Sequence, residues 1–138
     1  MNDRNLEIVA GMYDAFTQGD IAAVLQRLDA NVEWHSAEHD PYDPGGPFVG
    51  PDAVLEGVFM RLAADWDDFG VTPFVFHSCG EVVIVEGRLT GRHRATGREL
   101  DAEFCHVFTL AGGPVVSVRA YEDTAQLRAV AGFSAAVV

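Results

Sequence analysis

The sequence predicts an α+β domain, on three observations. Apolar residues recur at helical spacing through the first third of the chain. The second half is rich in β-branched and aromatic residues in strand-length runs. Short turns marked by glycine separate those runs, so neighbouring strands pair antiparallel. Helices first and an antiparallel sheet second is the order of an α+β fold.

Leu6, Val9, Met12, Tyr13 and Phe16 share one helical face. Gly19 stops that helix by turning left-handed, and the carboxylate of Asp20 caps the next one. Ile21, Val24, Leu25 and Leu28 form a second apolar stripe, which Asn31 breaks. Residues 32–36 read as a short strand, and residues 37–50, with three prolines and three glycines, as a loop. Pro51 occupies the tolerated first position of a third helix, whose buried face is Val54, Leu55, Val58, Phe59 and Leu62.

Strands follow over residues 71–77, 81–92, 98–110 and 114–122. Their turns are Cys79-Gly80, Ala95-Thr96-Gly97 and Gly112-Gly113. Residues 82–85 are apolar at every position, which predicts cover on both faces of the sheet. The helices supply one cover, and a second subunit is the simplest source of the other, so a homodimer through the sheet is expected. The apolar tail, residues 129–138, is expected to pack against the sheet or the partner subunit.

Twenty-one acidic residues against nine basic ones, all arginine, give a net charge of −12. That balance argues against nucleic acid and against anionic membranes as partners. Two cysteines make no disulfide framework, the N-terminus lacks the pattern of a signal peptide, and no apolar run reaches the roughly 20 residues of a membrane span. The expectation is a single cytoplasmic domain over residues 1–138.

Several segments resemble the nuclear transport factor 2-like superfamily in its SnoaL-like branch. They are Tyr13-Asp14-Ala15-Phe16-Thr17-Gln18-Gly19-Asp20, Asn31-Val32-Glu33-Trp34 and Gly46-Pro47-Phe48-Val49-Gly50, then Cys105-His106-Val107-Phe108 running through Gly112-Gly113 to Tyr121-Glu122-Asp123. The resemblance implies three N-terminal helices packed in the concave face of a curved, mixed but mainly antiparallel sheet. The two enclose a cone-shaped, mostly apolar pocket, a default site for a small apolar ligand. Shared fold does not carry function, so the chemistries of the superfamily are compared position by position.

Resemblance to the ketosteroid isomerases implies a tyrosine and two aspartates. Their positions hold Met12, Trp34 and Cys105 here, so steroid isomerisation is not expected. Resemblance to the limonene epoxide hydrolases places Asp123 at the last carboxylate, but the expected Arg-x-Asp pair falls at Arg88-Leu89-Thr90 and lacks its aspartate. Resemblance to the SnoaL-type cyclases implies acid–base catalysis by His106 and Asp123, with Glu122 as the other acid. In the isomerase register Cys105, Val107, Val118, Ala120 and Glu122 point inward, while Phe104, His106, Phe108 and Leu110 face the partner. A slip of one residue reverses this.

Each candidate also has a plainer account. His106 reads as an acid–base group or as a hydrogen-bonded core histidine. Asp123 reads as a pocket acid or as the cap of a C-terminal helix. Tyr13 and Trp34 either touch a ligand or pack in the core, and Met12, Phe16, Phe59, Val118 and Tyr121 complete the expected ligand surface. Glu86 interrupts an apolar strand and suits an ion pair with Arg88 or Arg119. The run His35-Ser36-Ala37-Glu38-His39 has the letters of a zinc motif but follows a strand, where a helix is needed, so no metal is expected. The arginines around Gly97 read as a solvated hairpin or an anion site. Two functions remain: a cofactor-free acid–base enzyme (isomerase, cyclase or hydratase) acting on a small apolar or polyketide-like molecule, or a binding or scaffold module without chemistry.

Overall fold

The computed structural model describes residues 3–133. The last five residues of the apolar tail therefore lie outside the described residues. Helix α1 (Arg4–Thr17) buries Ile8, Val9, Met12 and Tyr13, one stripe at helical spacing. Gly19, at φ 76°, ends the turn after it, and the Asp20 carboxylate accepts the Ala23 amide at 3.1 Å to start α2 (Ile21–Gln26). Strand β1 (Leu28–His35) begins four residues earlier than the sequence suggests. Parallel pairing with the last strand, from Leu28 opposite Val115 to His35 opposite Arg119, holds Leu28 and Asn31 extended. A tertiary ladder overrides the local helical stripe.

The loop after β1 contains a two-residue strand, β2 (Phe48–Val49), paired with Glu33 and Trp34. The third helix is continuous in three pieces: α3 (Pro51–Val54), a π-helical turn (Leu55–Phe59) and α4 (Met60–Asp65). Gly57 sits in the π turn because the Phe48 ring occupies the space a β-carbon would take.

Strand β3 (Trp66–Cys79) starts five residues before the expected position and pairs with β4 (Val82–His93). Two register shifts lie along this ladder, between Asp67 and Gly70 and between Pro73 and Val75. The second lets Pro73 sit in an edge strand, where its missing N–H costs no ladder bond. Strands β5 (Glu99–Leu110) and β6 (Val115–Glu122) follow, then α5 (Thr124–Ala131). The sheet order is β2-β1-β6-β5-β4-β3; only β1 and β6 are parallel, so the sheet is mixed, mainly antiparallel and unclosed.

One face of this curved sheet packs on the helices. On β4 the inward series is Val83, Val85, Gly87 and Leu89; on β5 it is Leu100, Ala102, Phe104, His106, Phe108 and Leu110; on β6 it is Val118, Ala120 and Glu122. Val82 and Ile84, expected to be covered, are only half-buried on the other face of the single chain. No helix among the described residues is long and apolar enough to cross a membrane.

Candidate active site

The strand register decides the site. Directly opposed residues of an antiparallel pair share a face, and His106 lies opposite Ala120 while Cys105 lies opposite Tyr121. The isomerase register is therefore half right. Val118, Ala120 and Glu122 do point inward, but Phe104, His106, Phe108 and Leu110 point inward with them. Cys105 and Val107 point to the outer face. The pairing of His106 with Ala120 and Phe108 with Val118 shifts the inward set on β5 by one residue from the isomerase register.

Helices and sheet enclose a cavity of about 130 Å³, lined mostly by apolar side chains. That is close to the size of an engineered cavity that takes up one benzene ring. Met12, Tyr13 and Phe16 reach it from α1, Trp34 from β1, and Phe59 from the π turn. The Phe59 ring touches both Phe16 and Trp34, with centroids 5.8 and 5.7 Å away. Among the described residues no arginine lines the cavity, and the ionisable groups that do are Tyr13, Asp40, Tyr42, His106 and Glu122.

Four of these groups form a chain. The Tyr13 hydroxyl is 2.8 Å from His106 Nδ1. On the other side of the ring, Nε2 lies 3.6 Å from Glu122 Oε2, and these two side chains keep only 14 % and 13 % of their surface open. Glu122 in turn hydrogen-bonds the side chain of Asp40. The Phe104 ring stacks on His106, centroids 4.1 Å apart, and fixes its plane.

The electrostatics follow from burial. His106 falls to about 3, because its charged form loses its hydration, so the ring is neutral. Burial lifts the Glu122 carboxyl, opposed in part by the Asp40 hydrogen bond. Asp40 rises to about 7 through burial, then through the charge and hydrogen bond of Glu122, against a lowering bond from the Tyr42 amide. Burial, then the nearby Cys105 and Glu122, hold the Tyr13 phenol well above its ordinary range. Two adjacent carboxyl groups in such a place share a proton.

Asp40 is not among the expected pocket residues. The signal was the loop itself, since a structureless segment of this length in a small domain usually carries function. Its folding is local. The Asp40 amide bonds Ala37 O at 3.1 Å, and the Asp40 carboxylate accepts the Tyr42 amide at 2.8 Å. Tyr42 then anchors the loop by donating to Asp65, while Trp66 Nε1 donates to Tyr42 Oη at 3.3 Å. Arg61 lies 4.2 Å over the Tyr42 ring, and Arg128 reaches His39 O.

Other expected site residues lie elsewhere. Asp123 caps α5, accepting the Gln126 amide at 3.1 Å, and does not line the cavity. Replacing Asp123 with Ala is expected to cost about 1 kcal/mol of stability, the usual cost of a lost cap, seen as a lower urea midpoint, and to leave the titration of Asp40 and Glu122 unchanged. Glu86 lies exposed on the outer face, where it pairs with His77 at 2.6 Å and not with Arg88 or Arg119. Tyr121 is also on the outer face and 54 % exposed. Val118 points inward but is core, covered by its neighbours.

Three of the arginines near Gly97 are engaged: Arg88 with Asp101 at 2.7 Å, Arg94 with Asp67 at 2.8 Å, and Arg98 with Ala129 O. His35 pairs with Glu33 at 3.2 Å, and the described residues hold no group of three or more side chains arranged for a metal.

The model of the SnoaL-like domain matches residues 9–118, and the chain belongs to that family. Among curated proteins none matches. An NTF2-like protein from Burkholderia thailandensis is 29 % identical and superposes with a TM-score of 0.86, over 93 % of this chain and 96 % of that one. Two more distant structures share the fold. A candidate SnoaL-like polyketide cyclase from Jannaschia sp. CCS1 is 19 % identical, TM-score 0.81, over 96 % of this chain and 94 % of that one. A protein with a ketosteroid isomerase-like fold from Catenulispora acidiphila is 19 % identical, TM-score 0.77, over 93 % and 94 %.

Proposed function

We propose that this protein is an acid–base enzyme that moves a proton on a small, largely apolar molecule about one ring in size, using side chains alone. The observation that carries this reading is the Asp40–Glu122 pair, two hydrogen-bonded carboxyl groups inside an apolar cavity. Holding one proton between them, the pair offers a base and an acid side by side. The carboxylate takes a proton from the carbon next to a substrate carbonyl. The neutral carboxyl gives its proton to the carbonyl oxygen, and the product is the enol. Reversal at a different carbon is isomerisation, and attack by the enol carbon on a second carbonyl is cyclisation. His106 and the aromatic walls hold the pair and the ring.

The test is exchange in D2O with a panel of neutral one-ring ketones, followed by NMR. The wild type is expected to place deuterium beside the carbonyl at least 100-fold faster than Glu122→Gln or Asp40→Asn. Equal rates in wild type and both variants would sink the proposal. Binding without exchange anywhere in the panel would shift the assignment to a passive ligand-binding domain, the reading that the apolar majority of the lining supports.

The outer face supports a homodimer through the sheet. Val75, Glu86, Cys105 and Tyr121 lie in one cross-strand row, with His77, Ile84, Val107 and Arg119 in the next, so the apolar residues there are crossed by the Glu86–His77 pair. Val75 and Tyr121 are 44 % and 54 % exposed in the single chain. Sedimentation of a monomer at micromolar concentration would remove this assembly.

A further inference from the structure

Resting on the acid–base reading of the pair, we propose that Tyr13 is a positioning residue that assigns the two roles. By donating to His106 Nδ1 it holds the imidazole as the Nε2–H tautomer, which aims a donor at Glu122. Glu122 is thereby the carboxylate base and Asp40 the proton-holding acid.

Hydrogen-bond accounting at the Tyr13 end of the ring leads to this tautomer. A neutral imidazole has one donor and one acceptor nitrogen. The Tyr13 hydroxyl makes its hydrogen bond among the described residues to His106 Nδ1. Were Nδ1 the donor, the hydroxyl proton would have no protein acceptor in a buried site, which costs ~1–3 kcal/mol. The other nitrogen faces Glu122 Oε2 at 3.6 Å. A bare Nε2 lone pair there would oppose carboxylate oxygen, whereas Nε2–H meets it with a favourable dipole. The Tyr13 end of the ring sets the proton position, and a carboxylate at Glu122 is compatible with it.

The consequence passes to the pair. Ionisable groups reach the imidazole from α1 (Tyr13), from β6 (Glu122) and, through Glu122, from the loop (Asp40). On β5 itself Cys105 points to the opposite face. None of these is a cation, so the Nε2–H is the group that favours negative charge on Glu122. Glu122 also accepts from Asp40, a bond that raises Asp40 and lowers Glu122. The Asp40 bond and the Nε2–H at 3.6 Å both favour negative charge on Glu122, while among the described residues the donor directed at Asp40 is the Tyr42 amide at 2.8 Å. The arrangement is a Tyr13–His106 hydrogen bond followed by a 3.6 Å dipolar contact from Nε2 to Glu122, with Asp40 closing it from the other side.

The experiment is NMR of the whole chain at two sets of nuclei, requiring no substrate. In the wild type, long-range proton–nitrogen spectra are expected to show His106 as the Nε2–H tautomer from pH 5 to 8. Carboxyl-carbon titration is expected to show Glu122 ionising before Asp40. In Tyr13→Phe the tautomers mix, and the Asp40 midpoint falls by about one pH unit as the order loosens. A purely packing role for Tyr13 would leave tautomer and titration order unchanged in a folded Tyr13→Phe protein, and that result overturns the proposal. So does a wild-type His106 in the Nδ1–H form, or Asp40 ionising first, and both are readable even where the variant fails to fold. Deuterium exchange reports separately: lost exchange with the expected tautomer removes the enzyme reading and leaves the positioning role standing.

Discussion

Asp40→Asn is expected to stabilise the fold at pH 8 by about 2 kcal/mol and to change nothing at pH 4. Asparagine keeps the shape of aspartate, can accept the Tyr42 amide and can donate to Glu122. What it lacks is the titration. The Asp40 carboxyl has its folded value raised from 3.8 to about 7. Between those values the native state keeps a proton that the unfolded state has released. The wild type therefore has its full stability below the lower value and loses stability as pH rises through the upper one. The whole shift would correspond to ~4 kcal/mol at about 1.4 kcal/mol per unit, and roughly half is expected because Asp40 keeps some exposure. His106 works in the opposite sense: lowered to about 3, it removes stability as pH falls below its ordinary 6.5. Present in both proteins, it cancels from their difference. Urea unfolding at pH 4, 6 and 8 measures that difference, and curves that stay parallel across pH would contradict the buried-acid assignment.

Gly87→Ala is expected to cost roughly 3 kcal/mol or more. A β-carbon at Gly87 would sit on the Thr72 carbonyl oxygen and press into the Phe104 ring. The first is backbone and cannot rotate away. The second stacks on His106, so the clash also reaches the site. Gly87 lies opposite Pro73, beside the register shift in β3. The substitution should loosen β3 from β4, seen as a lower urea midpoint and as lost amide protection along β3. An unchanged midpoint would mean the ladder can widen there at no cost.

Local patterns in the sequence account for much of this fold. The stripe on α1, the Gly19 stop, the Asp20 cap, Pro51 at a helix start and the turns at Gly80, Gly97 and Gly112 are short-range events, decided by a few neighbouring residues. Residues whose state depends on distant partners were less legible. Leu28 carries a helical stripe but is held extended by Val115, and residues 66–70 join β3 because β4 is there to pair with them.

The site divides the same way. Met12, Tyr13, Phe16, Trp34 and Phe59 were legible as an inward apolar face. Which of Cys105 and His106 joined them was not, because a strand reads equally well on either face until its partner is fixed. The alternation of Leu100, Ala102, Phe104, Phe108 and Leu110 around His106 was the available clue, since five apolar residues on one face outweigh the Cys105 side. Asp40 was hidden for another reason. A loop has no period, so nothing in its letters says which side chain turns inward.

The pair is built from two kinds of structure. Glu122 stands on a central strand with a neighbour on each side, whereas Asp40 stands on a loop whose internal bonds join residues a few positions apart. Changes in the part of the loop before β2 can exchange the acid for another group, or remove it, without breaking one rung of the sheet. Descendants of such a chain could therefore change their chemistry, or abandon it, by rewriting a single surface segment while inheriting the base and the cavity intact.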